Sequence, residues 1–398
     1  MDPGGTHIGV VAHALNQPHT LAGWSSFPDV PGDPIANLRS ASGSLISVFI
    51  DRPSPGGFGA LLSDLVRPLR NQAEGLGRAV EKSVRTDSGR IHDLADRLEL
   101  EAAPAYAIFA SELDSIFILE PLTYSIQSVS TLGPRPYMRP LRAAPRGLRA
   151  GVIVADRAEA KTFVSFAGIV DEVGVPLAVA IRKANYGGFS GYDEHTVRGH
   201  ADEVSHRVWK EAGLRMLEEH QRRAFDYLAI GSHEETAEEI ARSLHPYLAR
   251  LHRTSFIASP VGIAPRDLRA EMSLLDVEVR HQRQEALAGR VCDTAWSGGN
   301  GVVGLGATLE AVNSQAVETL VVAGPYSRDG SVCNECGHLS RNETICRVCN
   351  SAMFSVDDVV GAVMDATVAS GGSVFQIDVA SPLDTGGIGA LTRFPVLV

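Results

Sequence analysis

The chain has 398 residues, 44% of them hydrophobic and 21% charged, with a formal net charge of −11. That length points to two or three domains and excludes a single ordinary one, and the composition is globular rather than disordered or fibrous. No run of about 18 apolar residues is free of charge, which argues against a membrane span.

Met1-Asp2-Pro3-Gly4-Gly5 lacks the basic-then-apolar layout of a secretory signal, so a cytoplasmic protein is expected. The acidity is uneven. Residues 1–150 carry 14 Lys and Arg against 15 Asp and Glu, residues 151–299 carry 18 against 22, and residues 300–398 carry 4 against 10. Phosphate contacts need Lys and Arg, so this split suits a front that faces RNA and a back that faces protein; an acidic solvated surface is the plainer alternative. Neither DNA nor a membrane is an expected partner.

Residues 1–44 are rich in Pro, Gly and Ser without periodicity and read as an extended arm, with Trp24 and Phe27 as candidate anchors. A first α/β domain spans 45–149. It opens with strand 45–50, followed by helix 60–85 with Leu61, Leu62, Leu65, Leu69 and Leu76 on one side, helix 88–100, and strands 106–109 and 116–119. Five arginines fall within 135–149 with no acid: Arg135, Arg139, Arg142, Arg146 and Arg149. With Tyr137 they suit an RNA surface, since guanidinium forks onto phosphate and stacks on bases; a Pro-rich linker capping the sheet is the other reading.

The central domain spans 150–297, with strands at 151–155, 162–166 and 176–181. Then comes Asn185-Tyr186-Gly187-Gly188-Phe189-Ser190-Gly191-Tyr192, a glycine-rich loop that reads either as a protruding tip or as an idle connection. Asp193 is a candidate N-cap of the long helix that follows, whose core stripe is Val197, Ala201, Val204 and Val208. On its surface lie His195, Arg198, His206, Arg207 and Lys210, and the histidines lack metal-pair spacing. Strand 227–230, helix 234–251, strand 254–257 and helix 265–290 complete the domain.

The third domain spans 298–398, with helix 305–314, strand 319–322, helix 356–370, strand 373–377 and a turn at 385–391. Between its first strand and second helix, at 331–352, stand Cys333-x-x-Cys336 and Cys346-x-x-Cys349, nine residues apart. Each knuckle turns two thiolates toward one metal and two knuckles close a tetrahedron, leaving no open position. The expected cofactor is one structural Zn2+ in a zinc ribbon. Cys292 stands apart as an idle or buried thiol. No strand is followed by Gly-x-Ser-x-Gly, and no glycine loop ends in Gly-Lys-Ser/Thr, so no catalytic residues are assigned.

Gln315-Ala316-Val317-Glu318-Thr319-Leu320-Val321-Val322, the cysteine insertion, and Gly386-Gly387-Ile388-Gly389-Ala390-Leu391-Thr392-Arg393-Phe394 resemble the third domain of the archaeal and eukaryotic class-1 release factor and Pelota family. Arg135-Pro136-Tyr137-Met138-Arg139-Pro140-Leu141 resembles a segment of its bacterial branch. The resemblance covers about 45–398 and is strongest at the carboxy-terminal end. It implies a three-domain α/β architecture with mixed sheets covered by helices.

In this family a Gly-Gly-Gln loop enters the peptidyl transferase centre and positions water on the peptidyl-tRNA ester. Here the loop reads Gly187-Gly188-Phe189, so the glutamine is missing, and no stop-codon-reading Asn-Ile-Lys-Ser occurs. The bacterial branch includes ribosome hibernation factors that occupy the A site of idle 70S ribosomes with elongation factor Tu. The resemblance therefore implies a ribosome-binding translation regulator of the stress response. It would contact 16S and 23S rRNA and ribosomal proteins, with elongation factor Tu as a candidate partner. Tyr186, Gly187, Gly188, Phe189, Ser190, Gly191 and Tyr192 would lie at the peptidyl transferase centre, and Arg135, Tyr137, Arg139, Arg142, Arg198 and Arg207 would be further rRNA contacts. The alternative is a peptidyl-tRNA hydrolase or rescue factor acting through the altered loop.

Overall fold

A computed structural model of the chain describes residues 35–53, 57–101, 103–122, 124–143, 147–166, 168–178 and 192–396, with backbone alone for 192–202. The chain divides into two compact units: residues up to Pro145 together with Glu285–Val398, here the terminal unit, and Arg146–Gln284, the central unit. The first and third domains of the sequence reading thus share one unit.

The amino-terminal lobe of the terminal unit is a four-stranded antiparallel sheet of order β3-β2-β1-β4, from β1 (Leu45–Asp51), β2 (Ala105–Ser111), β3 (Ile116–Leu122) and β4 (Val129–Gly133). Three helices cover one face: α1 (Phe58–Ala73), α2 (Arg78–His92) and α3 (Ala95–Leu100). Leu62, Val66, Leu69 and Ala73 recur at spacings of four, three and four and bury against Ile46, Val48 and Ile50 of β1. Leu76, expected in that stripe, is 52% exposed, because the chain breaks into a turn that ends on Gly77 at φ 99°. The expected helix 60–85 is therefore two helices, and glycine is what the left-handed turn position requires.

Alternate residues of β1 and β2 point to the opposite face, where Phe49, Ala107 and Phe109 pack with Ile35, Met138 and Leu141. Ile35 and the serines Ser40 and Ser44 are buried, and Ser44 Oγ bonds Ser111 Oγ at 2.9 Å. The last ten residues of the expected arm are thus folded onto the sheet; Trp24 and Phe27 lie outside the described residues. A short helix, α4 (Arg139–Arg142), closes this lobe.

The central unit holds one mixed sheet of order β10-β9-β5-β6-β7, from β5 (Arg149–Ala155), β6 (Glu159–Phe166), β7 (Ile169–Glu172), β9 (Tyr227–Gly231) and β10 (His252–Phe256), with β8 (Leu177–Ala178) also on β6. β5, β9 and β10 run parallel; the apolar runs of β5 and β9 are buried on both faces, while β10 is a half-exposed edge strand. One face meets α5 (Tyr192–Arg222), α6 (Glu234–Ser243) and α7 (Pro246–Ala249); Pro246 splits the expected helix 234–251. The other face meets Leu268, Met272, Leu275 and Val279 of α8 (Pro265–Trp296).

The end of α8 belongs to the terminal unit: Ala288, Val291 and Cys292 pack under a second mixed sheet, order β11-β17-β12-β16. Its strands are β11 (Gly301–Val303), β12 (Val317–Ala323), β16 (Ser373–Ile377) and β17 (Ile388–Thr392), with α9 (Leu305–Asn313) and α10 (Val359–Ala369) on the other face. The expected turn at 385–391 is instead a 3-10 turn at Pro382–Thr385 leading into β17, a central strand paired on both sides. Between β12 and α10 sits a small three-stranded sheet, β14-β13-β15, from β13 (Gly330–Cys333), β14 (Leu339–Ser340) and β15 (Met353–Val356). This is the insertion that the cysteine spacing predicts.

Candidate metal centre and nucleic-acid interface

Each cysteine pair is held by the same local hydrogen-bond pattern. The Cys333 N–H donates to His338 O at 2.9 Å and the Gly337 N–H to Cys333 O at 2.9 Å; in the second knuckle the Cys346 N–H donates to Ser351 O at 2.8 Å and the Asn350 N–H to Cys346 O at 2.9 Å. Gly337 (φ 78°) and Asn350 (φ 62°) take the left-handed turn after each pair, the position that glycine and asparagine tolerate best. The pattern aims all four sulfurs inward. Cys333 Sγ and Cys349 Sγ lie 3.4 Å apart, Cys336 Sγ and Cys346 Sγ 3.5 Å apart, and all four fall within 4.8 Å of one another.

Zn–S bonds of about 2.3 Å at tetrahedral angles require S···S separations of about 3.8 Å, so Cys333, Cys336, Cys346 and Cys349 fit a four-sulfur metal site. Cys333 and Cys346 are buried while Cys336 and Cys349 face solvent, a layout with an entry side. The Ser351 hydroxyl and N–H lower the pKa of the Cys349 thiol, whereas burial and the neighbouring sulfurs raise that of Cys336, so a metal would have to displace protons from the cluster on binding. His338 is no ligand candidate: its Nε2 accepts from Arg347 Nε at 3.0 Å, and Arg347 also donates to Glu310 of α9 at 2.6 Å. Asn313 of α9 brackets Leu339, accepting its N–H at 2.9 Å and donating to its carbonyl at 2.8 Å. The ribbon is therefore docked on α9 rather than hanging from its two ends.

Arg135, Tyr137, Arg139 and Arg142, read from sequence as an rRNA surface, face the carboxy-terminal lobe instead. Arg139 donates to Asp358 Oδ2 at 2.8 Å with only 9% of its side chain exposed, and to Tyr326 O at 2.7 Å. The Tyr137 hydroxyl donates to the same Asp358 oxygen at 2.8 Å, and Ser327 Oγ to the other at 3.0 Å. Arg142 pairs with Asp365 Oδ1 at 3.3 Å. Asp358 at the N-cap of α10 and Gly361 and Asp365 within it recur at three and four residues, set against Arg139 and Arg142 of α4. A Cβ on Gly361 would meet the Tyr137 ring at 3.1 Å, so glycine lets the two helices approach.

That placement corrects the sequence reading: these cations are taken up by acids and carbonyls of the same chain, and part of the charge asymmetry is satisfied internally. Tyr137 is pushed well above its ordinary value by burial and by Asp358, so it remains a hydrogen-bond donor. Burial pushes Asp365 up to about 6, against the pull of Arg142, Arg135 and Arg39. Between the lobes runs a groove of about 780 Å³ whose lining includes Arg39, Arg135, Arg142, His338 and Asp365. Sequence reasoning missed Asp358, Asp365 and Ser327. The seven-residue spacing of the two acids was the available signal.

Of the remaining candidates, Tyr186, Gly187, Gly188, Phe189, Ser190 and Gly191 lie outside the described residues, as do the side chains of Tyr192, His195, Val197, Arg198 and Ala201. Arg207 is exposed on α5. Val204 and Val208 are buried as expected, and Trp209 anchors the helix through Nε1 to Asp156 O at 2.8 Å. His206 packs edge-on against the Trp209 ring.

No protein-family model and no curated protein matches the sequence. Among solved structures the chain is similar to the archaeal translation termination factor aRF1, at 14% identity and TM-score 0.25, covering 91% of this chain and 95% of that one. It is also similar to Pelota of Archaeoglobus fulgidus, at 16% identity and TM-score 0.36, covering 73% and 80%. Dom34 of S. cerevisiae, a translation termination-like factor involved in RNA quality control, is similar at 10% identity and TM-score 0.38, covering 73% and 81%. Among the described residues no helix is long and apolar enough to cross a membrane.

Proposed function

We propose that the chain is a ribosome-associated translation factor that occupies the A site of idle 70S ribosomes and blocks it without hydrolysing peptidyl-tRNA. The observation that carries the reading is the segment Tyr186-Gly187-Gly188-Phe189, which immediately precedes the 31-residue helix α5 and has phenylalanine where the resembled family has glutamine. An amide side chain can orient an attacking water by accepting and donating hydrogen bonds; a phenyl ring can do neither. A glycine pair followed by an aromatic ring suits insertion between rRNA bases, where stacking is sequence-tolerant. Through Arg135-Pro136-Tyr137-Met138-Arg139-Pro140-Leu141 the sequence resembles the family's bacterial branch, which includes the hibernation factor Balon.

On this reading Arg207, and Arg198 from its position on the same helix, supply charge toward rRNA, while the metal ribbon stabilises the carboxy-terminal lobe. The test is co-sedimentation with vacant 70S ribosomes. The chain is expected to pellet with the ribosome, and replacing Gly187 and Gly188 together by alanine is expected to reduce binding at least tenfold without changing the melting temperature. Absence of the chain from the ribosomal pellet would remove the proposal.

A further inference from the structure

Arg135 lies where the amino-terminal lobe meets the first cysteine knuckle. One of its terminal nitrogens donates to the carbonyl oxygens of Cys333, at 3.3 Å, and Asn334, at 3.4 Å. Its Nε is buried and has no hydrogen-bond partner, and the Oδ1 of Asn334 is likewise buried and unpartnered. A partly buried guanidinium whose Nε has no partner is stabilised by an anion close by. Four thiolates on one divalent ion leave a formal charge of about −2, which is such an anion.

The cation inside the second knuckle is already committed. Arg347, inside the second knuckle, has half its side chain in solvent and is committed to His338 and Glu310. Arg135 comes from the other lobe, at a sequence separation of 198 from Cys333. Two residues on, Tyr137 is fixed from both sides: its N–H donates to Ser47 Oγ at 3.0 Å within its own lobe, and its hydroxyl reaches Asp358 at 2.8 Å in the other.

We infer that Arg135 is a cross-lobe positioning residue of the metal centre, so that metal binding and docking of the amino-terminal lobe on the carboxy-terminal lobe are thermodynamically coupled. This rests on the four-cysteine cluster being a metal site. Groups in the outer shell of a metal typically change affinity by about 10–100-fold when removed. Because coupling is reciprocal, whatever factor Arg135 contributes to metal affinity is also the factor by which metal favours the docked lobe.

The experiment uses the full chain under reducing conditions. Zn2+ affinity is measured by competition with a chromogenic chelator for the wild type, R135Q and R135K, with the Co2+ charge-transfer spectrum reporting a four-sulfur site. Hydrogen exchange over 135–143 and 357–366 is then compared with Zn2+ bound and after chelation. R135Q is expected to bind Zn2+ about tenfold more weakly while keeping the four-sulfur spectrum, and R135K, which keeps the charge but not the fork, to recover part of that loss. Chelation is expected to speed exchange in both interface segments at least fivefold and to leave β5 of the central unit unchanged. The chelation arm uses the unmodified chain and so stands whether or not R135Q folds. Equal affinities together with unchanged interface exchange would overturn the coupling. Failure of the wild type to bind Zn2+ or to give the Co2+ spectrum would instead overturn the metal site on which it rests.

Discussion

Asp358→Ala removes the acceptor that holds the two lobes of the terminal unit together. Its carboxylate takes three hydrogen bonds, from Arg139 and Tyr137 at 2.8 Å each and from Ser327 at 3.0 Å, in a place where the ion-pair side chains are 9% and 13% exposed. Deleting one member of a buried pair leaves the other charge uncompensated and typically costs about 3–5 kcal/mol. Arg139 keeps its bond to Tyr326 O at 2.7 Å, so the expected loss is at the low end, about 3 kcal/mol. Asp358→Asn keeps the shape and loses the charge, and about 2 kcal/mol is expected. Tyr137→Phe removes one donor and leaves Asp358 two others, for about 1 kcal/mol. The assay is urea denaturation of the Zn2+-bound chain followed by far-UV circular dichroism. Hydrogen exchange over 135–143 serves as the local check, since a two-unit chain need not unfold in one step. A loss below about 1 kcal/mol for Asp358→Ala, with unchanged exchange at Tyr137, would refute the claim that this cluster fastens the lobes.

Other outcomes follow from the same geometry. Asp365 titrates at about 6 in the folded chain against an ordinary 3.8, so the folded state takes up a proton on acidification before the unfolded state does. Its stabilising contribution is complete below about pH 4 and is lost as pH rises through about 6; with 31% of its side chain exposed, about 1–2 kcal/mol is expected. The urea midpoint of the wild type should therefore rise between pH 7 and pH 5 relative to Asp365→Asn, and parallel curves would contradict this. Elemental analysis of the purified chain should give one Zn2+, and Cys346→Ser, which removes a buried ligand, should abolish it and lower the melting temperature of the terminal unit. Gly387 sits at φ 71°, and a Cβ there would overlap the Tyr326 ring, so Gly387→Ala should cost about 3 kcal/mol or more. Gly43, at φ 74° with open space around it, should cost only about 1 kcal/mol on the same substitution. Equal costs would show that strain alone, without the clash, governs both sites.

What the sequence revealed depended on whether the signal was local. β1, β5, β9 and β12 are near-continuous apolar runs because both faces of each are covered, and such runs are legible without knowing what covers them. The cysteine knuckles were legible for the same reason, since spacing alone fixes which way the thiols turn. β4 and β7 were missed: Val129–Gly133 is intermediate in burial throughout, and β7 is a sheet-edge strand with Asp171 and Glu172 exposed, so neither has an apolar run. Gly386-Gly387-Ile388-Gly389 reads as a turn by composition, yet β17 is a central strand, with Gly389 at close approach to Val302 O. The arginine-rich segment had two readings, an RNA surface and arginines committed within the fold, and the sequence could not choose between them for a physical reason. Its acid partners lie about 220 residues downstream, and nothing local distinguishes arginines waiting for phosphate from arginines facing aspartates of their own chain. The same gap affects Ile35, buried by contacts with no periodicity of its own.

The account of the chain as an occluder, rather than a hydrolase, turns on Phe189 standing where a glutamine would orient water. The direct measurement is release of labelled peptide from peptidyl-tRNA held in the P site of 70S ribosomes with a vacant A site, at chain concentrations that saturate binding. No release above the rate of ribosomes alone is expected, for the wild type and for Gly187→Ala alike. Release that depends on the chain and is lost on Gly187→Ala would contradict the account and identify a hydrolase.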